Sequence, residues 1–91
     1  MSVNYESAIA ALEDALERSL YVEGERTSSA LVDDFAGVKF GGVVFGECAV
    51  LDALKSLRDQ GRATSYSRRF GNFSEAVWQA TRGRKTFFSS N

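Results

Sequence analysis

Apolar positions recur every three or four residues over about 3–22, where Tyr5, Ile9, Leu12, Leu16 and Leu20 fall on one side of a helix. Asn4 or Ser2 can cap its start, Asp14 can pair with Arg18 one turn on, and Gly24 ends it. The stripe faces a core or a second subunit, and the alanines at 8, 10, 11 and 15 let a neighbouring helix approach closely. After a group of candidate N-caps at Thr27, Ser28 and Ser29, a short second helix is expected over 30–36 with Leu31, Val32 and Phe35 inward. The stretch 38–46 mixes strand-favouring residues with Gly41, Gly42 and Gly46, and is read as a turn leading into the next helix. That helix is predicted over 47–60, with Val50, Leu51, Leu54 and Leu57 on one face and Gly61 as its stop.

Beyond Gly61 the period changes from helical to alternating, so 63–70 and 73–81 read as two strands joined at Gly71-Asn72. Glycine in the first loop position suits a type II′ turn. The register that follows sets Phe70 against Phe73, Arg68 against Glu75, Tyr66 against Val77, Ser65 against Trp78 and Ala63 against Ala80. An Arg68–Glu75 ion pair would support that register, and the face carrying Ala63, Ala76, Trp78 and Ala80 is expected to pack on the helices. The sequence is expected to form a single domain over 1–81 with a basic and aromatic tail over 82–91, which is loose unless Phe87 and Phe88 find a partner.

Composition removes several function classes. No apolar run approaches the length of a membrane span, the N-terminal stretch is acidic, and the single cysteine, Cys48, allows no intrachain disulfide. A cytoplasmic protein with no membrane partner is the expectation, and Cys48 is expected to be buried as a small apolar residue. Histidine is absent, which removes the commonest general base and the commonest transition-metal ligand. Asp33 and Asp34 are adjacent on a helix, so their carboxylates diverge by about 100° and cannot converge on one atom. No enzyme, cofactor or metal site is therefore expected.

The net charge of −1 conceals a division. Up to Leu54 ten acids stand against three bases, a net of −7; from Lys55 onward eight bases stand against two acids, a net of +6. If the fold keeps the halves on different faces, the molecule is electrostatically polarised; if it brings them together, one half neutralises the other.

The order helix, short helix, turn, helix and hairpin resembles the winged helix-turn-helix family. The resemblance rests on the run Leu51-Asp-Ala-Leu-Lys-Ser-Leu-Arg-Asp-Gln-Gly-Arg-Ala63, a third helix stepping through Leu-x-x-x-Gly into the first wing strand, and on Val77-Trp-Gln-Ala-Thr81 closing the second. It implies an α+β winged helix, three helices followed by a two-stranded antiparallel β-hairpin. It also implies a small DNA-binding regulator in which the wing contacts the phosphate backbone. The residues placed there are Arg62 at the wing's base with Arg68, Arg69 and Asn72 on it, and Lys55, Arg82, Arg84 and Lys85 supply further phosphate contacts. The third helix departs from the pattern of a base reader, because Cys48, Ala49, Asp52 and Ser56 on its outward face are not the residues that recognise base edges. Winged helices also dock on proteins, and the alternative is an interaction module that engages a larger complex through Tyr66, Phe70, Phe73 and Val77. Two copies can pair through the first helix.

Overall fold

The computed structural model describes residues 4–81. Its elements run α1 (Tyr5–Glu23), β1 (Arg26–Thr27), α2 (Ser28–Phe35), β2 (Lys39–Phe40), β3 (Val43–Val44), α3 (Glu47–Asp59), β4 (Ala63–Phe70) and β5 (Phe73–Ala80). This is a small α+β domain of three helices and antiparallel strands. Among the described residues no helix is long and apolar enough to cross a membrane. The expected tail lies outside them.

α1 begins where the Asn4 side chain accepts from the Ser7 amide, and it ends at Gly24, whose N–H donates to the Leu20 carbonyl. α2 starts two residues earlier than its pattern suggests, because Thr27 is the capping residue and its Oγ1 accepts from the Ala30 amide at 3.1 Å. α3 ends in a Schellman arrangement. The Arg62 amide reaches the Leu57 carbonyl, and the Gly61 amide reaches that of Arg58. That closure turns the chain directly into β4 and fixes where Arg62 stands.

β4 and β5 pair in the anticipated register at every position from Ala63↔Ala80 to Phe70↔Phe73. Gly71 has φ +62° and Asn72 is not positive, which is the pattern of a type II′ turn. Two strand features differ from expectation. The sheet has three strands, ordered β1-β5-β4, because Arg26 and Thr27 pair with Trp78 and Val77 and make β5 the central strand. The segment 38–46 is not a plain turn but a miniature hairpin, β2 against β3, tightened at Gly41 with φ +57°. A two-residue strand lies below what alternation along a sequence can signal.

The core is a layer of leucines between the helices and the inner face of the sheet. Leu12, Leu16 and Leu20 of α1 meet Leu54 and Leu57 of α3, and Leu31 of α2, Ala63, Trp78 and Ala80 complete the cluster. Burying a side chain of leucine size stabilises by roughly 1.5–3 kcal/mol, so this cluster supplies the main driving force. Trp78 keeps its polar edge satisfied inside it, donating from Nε1 to Ser28 Oγ at 2.9 Å. Tyr5 departs from its predicted inward place. It is exposed at the start of α1, with its ring tilted against that of Phe45 at 5.9 Å.

Gly41 also pins the small hairpin to α1, since a Cβ there would stand 2.9 Å from the Ala8 Cα. Gly41→Ala therefore combines a backbone clash with a left-handed conformation that alone costs a side chain about 1–2 kcal/mol. The expected result is a loss of about 2 kcal/mol or more in urea unfolding, whereas Gly46→Ala, where a Cβ meets nothing within 4 Å, changes stability far less.

Candidate binding surface

The β4–β5 hairpin presents two faces by strand alternation. Ala63, Trp78 and Ala80 lie on the face turned to the helices and are buried, but farther along that face Ser67, Arg69 and Ser74 are exposed. The distal half of the hairpin thus projects past the helical layer. The opposite face carries Tyr66, Arg68, Phe70, Phe73 and Val77.

This outer face is ordered from below by Glu25, which sits just before β1 on the same side of the sheet as Thr27. Its carboxylate accepts from the Tyr66 hydroxyl at 2.9 Å and from Arg68 Nη2 at 2.7 Å, and Arg68 Nη2 also donates to the Tyr66 oxygen. The Arg68 guanidinium lies 5.5 Å from the Tyr66 ring centroid and 5.9 Å from that of Phe70. At the tip, Phe70 and Phe73 stack at 5.9 Å between centroids. Phe73 is 60% exposed and Tyr66 39%. The result is a continuous strip of aromatic rings around one oriented guanidinium. The Tyr66 hydroxyl and the Arg68 guanidinium hold the Glu25 carboxyl below the usual carboxylate range. Reciprocally, the hydrogen bond to Glu25 raises the Arg68 pKa above its ordinary value.

Val77 does not belong to the available strip. It is only 1% exposed, because β5 is central and Tyr66 and Thr27 flank it from both sides. The Arg68–Glu75 ion pair does not form either, although the two residues do face each other. Glu75 Oε2 instead accepts from the Ser29 amide at 2.7 Å, placing a carboxylate at the amino end of α2 where the helix dipole favours it.

The cations assigned to phosphate contact are dispersed. Arg62 is consumed by α1. Its Nη2 lies 2.7 Å from both Asp14 Oδ1 and Glu17 Oε1, its Nε donates to Glu17 at 3.1 Å, and Nη1 stands 3.8 Å from Glu13 Oε1. Hydrogen bonding to Glu17, outweighing partial burial, raises its pKa. Arg68 is held by Glu25. Arg26 is likewise held by Asp34 at 2.6 Å and Glu23 at 3.3 Å. Lys55 on α3 and Arg69 and Asn72 near the hairpin tip are exposed, and Lys55 and Arg69 make no ion pair among the described residues. Arg82, Arg84 and Lys85 lie outside the described residues. Residues 4–81 hold all twelve acids but only eight of the eleven bases, a formal charge of −4.

Sequence reasoning missed Glu25 as the organiser of the outer face and Arg58, whose guanidinium lies 5.6 Å over the Trp78 ring. The signal for Glu25 was its spacing of two from Thr27, readable only once β1 is known to join the sheet. Cys48 is exposed on the first turn of α3, in keeping with its place on that helix's outward face and against the expectation that it is buried as a small apolar residue. Asp33 and Asp34 are both exposed, and Asp34 serves Arg26. No family model, curated protein or solved structure matches this chain.

A carboxyl whose pKa is lowered by folding contributes stability that is present above its unfolded pKa and is lost as pH falls through the folded one. Acidification into and below the ordinary carboxylate range is therefore expected to release Arg68 and Tyr66 together. In a titration followed by guanidinium NMR, Arg68 should move in the wild-type chain and stay still in Glu25→Gln; the same movement in both would contradict the coupling.

Proposed function

We propose that the domain is a winged helix acting as a protein-docking module, and that its contact surface is the outer face of the β4–β5 hairpin. The observation that carries this reading is the strip of exposed Tyr66, Arg68 and Phe73 with half-buried Phe70, on a hairpin whose distal half projects past the helices. Tyrosine and arginine are among the residues that dominate binding energy at protein interfaces, and aromatic side chains are enriched there. Glu25 restricts Tyr66 and Arg68 before any partner arrives, which lowers the ordering cost of association. The order of elements supports the winged-helix assignment. A partner suited to this strip has an apolar concavity for Phe73 bordered by hydrogen-bond acceptors for the remaining donors of Arg68.

Duplex DNA contact is the second reading. It draws on Lys55, Arg69 and Asn72, and in the sequence on Arg82, Arg84 and Lys85. The observation in its favour is that the hairpin tip projects with Arg69 bearing no ion pair among the described residues. Against it stand the internal engagement of Arg62 and Arg68 and the acidic balance of residues 4–81, which repels a polyanion.

One pair of measurements separates the two. A photo-crosslinking residue at position 73 of the full chain, in an extract of the native host, is expected to capture a discrete protein that the same residue at position 52 on α3 does not. Phe73→Ser, assayed with the crosslinker at position 66, is expected to weaken that capture by about 2 kcal/mol or more. Titration with duplex DNA at two salt concentrations is expected to show no steep dependence. DNA affinity falling with a log–log slope of about 0.9 per phosphate neutralised, and weakened in Arg69→Ala, would replace the docking reading with the second one.

A further inference from the structure

We propose that the exposed face of α1 is the interface for a second copy of this chain, packed antiparallel about a two-fold axis. Docking by the hairpin does not depend on it, since the two surfaces share no residue.

Beside α1, on the side away from the core, lies an open groove whose lining includes Ala11, Ala15, Arg18 and Val22 of α1 and Phe35 at the end of α2. At 100° per residue, the four α1 positions fall within about 60° of arc. Val22 is 70% exposed there, a large fraction for a β-branched apolar residue on a helix that buries four others. Alanines and Phe35 give the groove apolar lining; of its charged residues, Glu23 and Asp34 already pair with Arg26, and Asp14 and Arg18 are arranged in a self-complementary way.

Arg18 is the only base on α1, a helix with five acids. It makes no ion pair among the described residues, although Asp14 lies one turn before it. Asp14 turns to Arg62 instead and uses Oδ1 alone, leaving its side chain 70% exposed and its Oδ2 without a partner among the described residues. An unpaired cation and a half-used carboxylate thus stand one turn apart on the same edge of the groove.

A two-fold axis lying between two such helices keeps like edges together and reverses their direction. Centred near residue 16, it brings Arg18 of each copy level with Asp14 of the other, so the pair of charges is satisfied twice. The same operation sets Val22 over Ala11 of the second copy, a large side chain against a small one, with Phe35 at the flank. A parallel two-fold pair would carry like edges to opposite sides of the seam and hold Arg18 level with Arg18, leaving Asp14 and Arg18 with no partner across it. The charge pattern therefore selects both the occupant and its direction.

The test is the mass in solution of the full chain, by sedimentation equilibrium, with helical content checked by circular dichroism. The wild-type chain is expected to dimerise. Arg18→Glu alone sets a second carboxylate against Asp14, and Asp14→Lys alone sets a second cation against Arg18, so each is expected to raise the dimer Kd by about tenfold or more. An equimolar mixture of the two restores one attractive pair of each kind, and a heterodimer is expected to return. Val22→Glu, which leaves the Arg62 contacts untouched, is expected to dissociate the dimer even if Asp14→Lys disturbs folding. A wild-type chain that stays monomeric, a dimer that Val22→Glu leaves intact, or two folded single variants that remain monomeric when mixed would each overturn the proposal.

Discussion

The junction between α3 and β4 decides how the two halves of this chain meet. The Schellman closure at Gly61 leaves Arg62 no choice of place, and the side chain it delivers there enters a row of α1 carboxylates. Glu13 and Glu17 are nearly buried beside the leucine core, where charge is costly unless paired, and Arg62 brings a cation to both. Gln60 donates to Glu13 and accepts from Arg62, extending the same network by one residue. The base of the hairpin is held to α1 by this cluster on one side and by Trp78 in the core on the other.

The same cluster changes what the charge division means. An acidic first half and a basic second half suggest a field that points outward, yet among the described residues the two halves bring opposite charges into contact at two places. Arg62 meets Asp14 and Glu17, and Arg68 meets Glu25. Much of the contrast is used inside the molecule as contacts between elements distant in the chain. What reaches the outer face of the hairpin is aromatic surface around an oriented arginine, and the proposed docking rests on that face, while Arg69 is exposed on the other.

Long-period features were legible in the sequence. The leucine spacing of α1 and α3, the switch to alternation after Gly61 and the glycine at the turn were enough to place the three helices and give the complete β4–β5 register, because each is set by local geometry repeated over many residues. Less legible was everything that depends on a short element meeting a distant one. β1 has two residues and no alternation to read, yet it makes β5 central, buries Val77 and sets Glu25 beneath Tyr66 and Arg68. The choice of ion-pair partner followed the same rule. Arg68 faces Glu75 across the hairpin, but the α2 amino end competes for Glu75 and Glu25 competes for Arg68, and neither competitor is visible from strand pairing alone.

Arg62 and the α1 carboxylates hold the hairpin to the helices as one coupled unit. A double-mutant cycle on Arg62→Met and Glu17→Gln, read by urea unfolding, measures that coupling directly. The expected coupling free energy is about 1–3 kcal/mol, with the double variant less destabilised than the sum of the singles. Additive effects within about 0.3 kcal/mol would contradict it.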